Sequence, residues 1–341
     1  MSADLLAPAP ARAGRAVRAL RDLGRRREVV VLVVLAVLAL AAAATYLVLG
    51  VQGGWEFVLP FRGRRLAGLV VVGVAIAAST VVFQTLTDNR ILTPSIMGFD
   101  ALYQLVQTVA VFGLGSLALA AVPATVQFGG VLVVMVVLST ALFTWLFGGA
   151  RRSLHLLVLV GVVLGTMFRS VSSLLQRMLD PNEFTVLQSR LFASFSTLDE
   201  RLLVATAVLV AAGIAVLLRG HRELDVLALG RPTAVALGVD HRRVVLRTLV
   251  VVAVLVSAST ALVGPVTFFG LLVANLAYVL TGSHRHVVNL PAASLLAVVV
   301  LVGGQAVLEH VLDQAAVLSV VVEFLGGIVF IAMLVAAGRR R

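Results

Sequence analysis

Residues 29–49 read VVVLVVLAVLALAAAATYLVL, an apolar run without a single charge, bounded by Arg27-Glu28 on one side and Gly50 on the other. A helix needs roughly 20 apolar residues to cross the hydrocarbon core of a bilayer, so this stretch reads as a membrane span. Working outward, nine more segments of similar character follow, at about 64–84, 94–113, 122–147, 153–177, 201–218, 246–263, 267–281, 291–309 and 320–337. The third is the most interrupted, with Pro94, Gly98, Asp100, Gln104 and Gln107 inside it. The expected fold class is all-α, a polytopic membrane protein with about ten transmembrane helices.

Composition agrees. Of 341 residues, 60% are hydrophobic and 13% charged, against about 45–50% and about 25% in soluble domains. One integral domain over 29–338 is expected, preceded by a basic cytoplasmic tail over 1–28. The absence of cysteine excludes disulfides, thiolate metal sites and cysteine nucleophiles. All 27 basic residues are arginine, and the net charge of +11 sits in loops and tails beside apolar spans. That placement is a topology signal and a contact with anionic lipid headgroups, not a nucleic-acid surface.

Ten spans put the N-terminal arginines, Arg151-Arg152, the 219–247 loop, His284-Arg285-His286 and Arg339-Arg340-Arg341 on one side. Arginine-rich loops stay in the cytoplasm, so both termini are expected there. Arg62, Arg64 and Arg65 fall outside, against that bias, which marks them as headgroup anchors or as a docking site for an acidic partner. The 219–247 loop is longer than the others and holds a small-residue stretch, Gly230-Arg-Pro-Thr-Ala-Val-Ala-Leu-Gly238. There is also an internal echo. Thr93-Pro94-Ser95-Ile96-Met97-Gly98 follows the second span, and Gly264-Pro265-Val266-Thr267-Phe268-Phe269-Gly270 follows the seventh. Paired interruptions in the two halves of a membrane protein point to a repeat architecture with a pathway between them.

Taken together these stretches resemble the permease subunit of the iron-siderophore and cobalamin class of bacterial ABC importers, the FecCD/BtuC type. The likeness runs from about residue 29 to 338. Arg62-Gly-Arg-Arg65 is similar to the family's Arg-x-x-Arg at its second span, and Leu229-Gly230 through Leu237-Gly238 to its cytoplasmic Leu-Gly-x(6)-Leu-Gly loop. Gly264-Pro265 through Phe269-Gly270-Leu271 is similar to Gly-Pro-x-x-Phe-x-Gly-Leu, and Gly326-Gly327-Ile-Val-Phe330 to Gly-Gly-Pro-x-Phe. The wording of 84–100 is closest to the branch serving ferric siderophores of the petrobactin and anguibactin type. The chain departs from the pattern at Ala274-Asn275, where the family has Pro-His, and at Ile328, where it has proline. The third external arginine has no counterpart, and Glu309, Asp313 and Glu323 occupy its region, which favours a non-identical partner permease.

The resemblance implies a type II ABC importer permease fold and a chain that translocates ferric siderophore across the cytoplasmic membrane. Its implied partners are an ABC ATPase subunit, a second permease subunit (a paralogue, or a copy of itself), an extracytoplasmic siderophore-binding protein and membrane lipid. It also implies that Leu229, Gly230, Arg231, Ala234, Leu237 and Gly238 couple to the ATPase. The spacing of Gly230, Ala234 and Gly238 by four predicts one small-residue helix face for close approach, with Leu229, Ala236 and Leu237 as apolar contacts and Arg231, Arg242 and Arg243 at the rim. Arg62 and Arg65 are implied to receive the binding protein's carboxylates from one face at a helix start.

No cofactor of its own is expected. The chain has no lysine and no G-x-x-x-x-G-K-[ST], so ATP binds a partner subunit and this chain is not an enzyme. An enzyme reading finds no H-E-x-x-H, no G-x-S-x-G and no His/Asp cluster, and the His284/His286 pair has no third ligand in reach. Within the spans, Arg169, Ser172, Ser173 and Gln176 recur at i, i+3, i+4 and i+7, a polar stripe expected along the translocation pathway. Gln84 and Asn275 are further pathway candidates, each also explained as an interhelical hydrogen bond. Other readings are a permease for haem or cobalamin, and a secondary transporter using Asp100, Glu309 and Glu323 as buried coupling acids.

Overall fold

The computed structural model of the chain describes residues 10–50, 54–147, 154–196, 198–310 and 318–338. Among these the chain is helical: α1 (Pro10–Val48), α2 (Trp55–Leu86), a π-helical turn (Ser95–Phe99), α3 (Asp100–Leu114), α4 (Ser116–Ala121), α5 (Ala124–Phe147), α6 (Leu154–Gln176), α7 (Pro181–Leu191), α8 (Glu200–Arg219), α9 (His221–Leu227), α10 (Arg231–Ala236), α11 (His241–Val263), α12 (Phe269–Thr281), α13 (His286–His310) and α14 (Leu318–Gly338). Eight helices are long and apolar enough to cross a membrane, and two shorter apolar ones, Phe269–Thr281 and Leu318–Val329, fall at the eighth and tenth expected spans. The chain is a multi-pass membrane protein. Arg151, Arg152, Asp313, Arg339, Arg340 and Arg341 lie outside the described residues, as do positions 1–9 of the expected tail.

Burial sorts the spans into two groups. In the apolar stretches of α2 and α11, 67% of residues are buried, against 17% in α1, α5 and α6. The inner group is packed with small side chains: Ala75, Ala77, Ala78, Ala253, Ala258, Ala274, Ala277, Ala292, Ala293 and Ala297 are all fully buried. Lipid gives helices no hydrophobic reason to associate, so close backbone approach and van der Waals contact hold α2, α11, α12 and α13 together.

The two interruptions seen in the sequence are real breaks. After α2 the chain turns through Asp88 and Pro94 into the π turn, where Gly98 takes φ 107°. A side chain there would meet the Gly165 Cα of α6 at 3.3 Å, so glycine on both sides permits the crossing. After α11, Gly264-Pro265 leads to Phe268, which sits in the left-handed region at φ 57° and caps α12. A bulky residue there is costly unless its surroundings hold it.

Helices α4, α7 and α9 were not foreseen. α7 begins with proline in its first turn after Asp180, a start signal outside any span. Its Glu183 accepts from the Ser116 backbone N–H (2.7 Å) and hydroxyl (2.9 Å), tying it to the start of α4. The 219–247 loop holds two short helices, α9 and α10, instead of a single one through the Gly230–Gly238 stretch.

Candidate functional site

On the side of the 219–247 loop, α10 covers only Arg231–Ala236. Gly230 precedes it at φ 87° and Gly238 follows it at φ 82°, both outside the helical region of the backbone. The four-residue spacing therefore does not place Gly230, Ala234 and Gly238 on one face, and the expected small-residue surface does not form. The glycines shape the ends: Gly238 N–H donates to Val235 O and Val239 N–H to Ala234 O, both at 3.0 Å, closing the helix C-terminus. Ala234 is fully buried against the chain itself. What faces out is apolar: Leu229, Val235 and Leu237 are 59%, 56% and 60% exposed, and Arg231, Arg242 and Arg243 lie exposed around them.

The segment is anchored through α9. Asp225 Oδ1 accepts from the His286 backbone N–H and from its Nδ1, both at 2.7 Å. Burial pushes this carboxyl up, but the His286 hydrogen bonds and charge outweigh it and hold Asp225 below the usual carboxylate range. Glu223 pairs with Arg247 of α11.

On the opposite side, α2 starts at Trp55, so Arg62 and Arg65 lie two turns inside it and not at its start. Arg62 turns onto the end of α1, donating to Tyr46 O (3.0 Å) and Leu49 O (2.7 Å). Cations at a helix C-terminus satisfy carbonyls that have no partner in the helix. Arg65 is 9% exposed. Its Nε donates to Phe195 O (3.2 Å), its Nη2 to Ser196 Oγ (2.8 Å), and its Nη1 pairs with Glu309 of α13. Glu309 also accepts from Gln305 (2.7 Å) and Tyr46 (3.3 Å). Arg64 is the more exposed arginine, 3.5 Å from Glu200. A cavity of about 370 Å³ lies between Phe61, Arg64, Arg65, Phe195, Ser196, Leu198 and Asp199.

The expected stripe on α6 divides. Ser172 is fully buried and bonds back to Phe168 O, and Gln176 donates to Thr108 of α3 at 3.2 Å, so both face inward. Arg169 and Ser173 line an open groove with Thr166, Ser170 and Arg177. A stripe at i, i+3, i+4 and i+7 spans enough arc for an adjacent helix to take its edge. Gln84 and Asn275, 2% and 5% exposed, both donate to Arg90 O (2.7 and 2.9 Å). They clamp the turn after α2 and line no open face.

At the two breaks, pattern named Asp100 only as a buried coupling acid and gave Thr267 no role. Thr267 Oγ1 donates to Asp100 Oδ2 at 2.9 Å, joining the start of α3 to the segment before α12. Ser95 also bonds Asp100, and Arg169 and Glu323 are close enough to act on it electrostatically. The only sequence signal for this meeting was the internal echo itself. Among the described residues no group of three metal-ligating side chains comes together.

The family model described as the FecCD transport family matches residues 29–336. The petrobactin import system permease protein YclO of Bacillus subtilis is 44% identical over 83% of this chain and 90% of its own length. FatC of Bacillus anthracis, also a petrobactin import permease, is 37% identical over 81% of this chain and 78% of its own. A solved structure described as an inward-facing metal-chelate type ABC transporter superposes with a TM-score of 0.79 at 23% identity, covering 90% of this chain and 99% of that one.

Proposed function

The chain belongs to the FecCD transport family, and on that premise we propose that it is the permease subunit of an ABC importer that carries a ferric siderophore, of the petrobactin class, into the cytoplasm. The observation carrying this reading is the 44% identity to a petrobactin permease over nine-tenths of that protein. The cargo moves as its organic chelate, so the chain needs a passage and no iron ligands.

Both termini and the 219–247 segment face the cytoplasm, where Leu229, Val235 and Leu237 with their arginine rim enter a cleft of the ATPase subunit. An apolar centre with a polar, arginine-bearing rim is how such interfaces are built. Gly230, Gly238 and Ala234 shape that surface from behind, and Arg231 borders it. Outside, the siderophore-binding protein docks over the α2 end, where Arg64 and the cavity lined by Arg65 are the accessible positive charge. Arg62 and Arg65 serve this surface by fixing the ends of α1, α2 and α13. A second permease, a paralogue, covers α6 and α14, and the passage runs past Arg169 and Ser173. Membrane lipid surrounds the remainder.

The test is reconstitution. Proteoliposomes holding this chain, its paralogue and the ATPase, supplied outside with binding protein and radiolabelled ferric petrobactin, take up label only when ATP is enclosed in the lumen, on the cytoplasmic face. Uptake by the permease alone, or uptake driven by a proton gradient without ATP, refutes the reading in favour of a secondary transporter.

A further inference from the structure

α9 is seven residues long, yet its side chains reach the ends of two membrane helices, and a third through one of them. Asp225 lies against the first residue of α13, Glu223 against Arg247 in the second turn of α11, and both contacts are ionic or charge-assisted. The α13 contact continues. His286 Nδ1 faces Asp225 Oδ1 at 2.7 Å, and on the other side of the ring Nε2 faces Thr85 Oγ1 at 2.7 Å. Thr85 stands in the last turn of α2 and also bonds Val81 O at 3.1 Å.

The chemistry fixes the direction of the bond to Asp225. A carboxylate only accepts, so the proton on Nδ1 points to Asp225. The same oxygen takes the His286 backbone N–H, one of the N–H groups left open at the start of α13, where negative charge is favoured. The His286 side chain is 4% exposed, with both ring nitrogens engaged. A planar ring gripped at both ends holds separation and orientation, whereas Leu224 and Leu227 of α9 are buried in non-directional apolar packing.

We propose that Asp225, His286 and Thr85 form the joint that passes displacement of the cytoplasmic segment to α13 and α2, which makes His286 a positioning residue for transport. The joint rests on the permease reading above, and it extends that reading from where force enters to how it reaches the spans. α13 and α2 are the right recipients: their outer ends are bound to each other by Glu309 and Arg65, so the same two helices are linked at both membrane faces. Cargo and nucleotide need never touch His286.

The two nitrogens can be removed separately. In His286→Asn the side-chain amide replaces Nδ1 and keeps Asp225 while losing Thr85; in His286→Gln it reaches the Nε2 position and keeps Thr85 while losing Asp225. Both variants, with Asp225→Asn, are assembled with the paralogue and ATPase and assayed in proteoliposomes for ATP hydrolysis and ferric siderophore uptake. The joint requires that each keeps ATPase content and hydrolysis within about twofold of wild type while cargo moved per ATP falls about tenfold. Pairing His286→Asn with Asp225→Asn costs no more than either alone, because one chain is already cut. Uptake per ATP within about twofold of wild type in all three overturns the proposal. Uptake, ATPase content and hydrolysis falling in parallel overturns it as well, since that pattern marks a folding defect. A wild-type complex that moves no cargo with ATP removes the permease reading and the joint together, whereas coupled variants beside a coupled wild type remove the joint alone.

Discussion

Replacing Glu309 with alanine isolates the worth of the outer ion pair. Glu309 and Arg65 are about a tenth exposed at their side chains, so the pair is cut off from water. Removing one partner of a buried pair costs about 3–5 kcal/mol, because the other charge stays behind unpaired. Arg65 keeps its bonds to Phe195 O and Ser196 Oγ, which places Glu309→Ala near the lower end, about 3 kcal/mol. Glu309→Gln keeps a neutral acceptor for Arg65, Gln305 and Tyr46 and loses about 1–2 kcal/mol. Arg65→Ala alone costs a similar 3 kcal/mol or so, but the double alanine variant strands no charge and costs about the same as one single change. The coupling in the double-mutant cycle is therefore about 2–3 kcal/mol. Unfolding free energies of the four proteins, measured in mixed detergent micelles, give this number directly. Strict additivity, with the double variant losing the sum of the singles, refutes the pairing.

Other substitutions separate surface from support. Val235→Asp or Leu237→Asp leaves this chain folded and weakens ATPase retention by about 2 kcal/mol or more, a loss of roughly 30-fold read by co-purification. Ala234→Leu acts differently: the site is full, so it lowers the permease's own stability by about 1–3 kcal/mol, measured by thermal unfolding. For Asp225 the sign follows from a carboxyl whose folded-state value lies below the unfolded value of about 3.9. Its contribution is present above that value and is lost as pH falls through the folded one. Asp225→Asn is thus destabilised at about pH 5.5, and the difference closes only below about pH 4; a gap already closed at about pH 5 contradicts the assignment.

Sequence made the spans legible because a bilayer requires long uncharged runs, and every one of the ten expected segments coincides with a helix. It also located the breaks, since Pro94, Gly98 and Gly264-Pro265 cannot continue a helix without cost. The orientation of individual side chains was not legible. Spacing placed Gly230, Ala234 and Gly238 on one face, but spacing carries that meaning only inside a helix, and the two glycines sit at positive φ beyond its ends. Spacing likewise grouped Ser172 and Gln176 with Arg169, although which edge of α6 meets α3 depends on the Gly98–Gly165 crossing. Arg62-x-x-Arg65 was visible, whereas its capping of α1 and pairing with α13 join positions far apart in the chain.

The two breaks explain each other. Interrupting a helix inside a membrane frees polar groups that lipid cannot satisfy, so the protein must supply partners at the same depth. Here the break before α3 supplies Asp100 and the break before α12 supplies Thr267, and each answers the other at 2.9 Å. Phe268 is held in its left-handed conformation beside this contact, with Gly326 of α14 close behind it. Arg169 of α6 and Glu323 of α14 stand within electrostatic range. An exposed arginine in the middle of a span is expensive against lipid but not against a partner or a water-filled passage. Beyond the polar groove of Thr166, Ser170, Ser173 and Arg177 the surface is apolar, with Leu159, Val163, Met167 and Leu174 on α6 and Phe324, Leu325, Ile328 and Ile331 on α14 exposed. The proposed pairing reconciles an apolar surface with a charge at its centre: a second permease would seal the apolar part, and Arg169 would face the passage enclosed between the two.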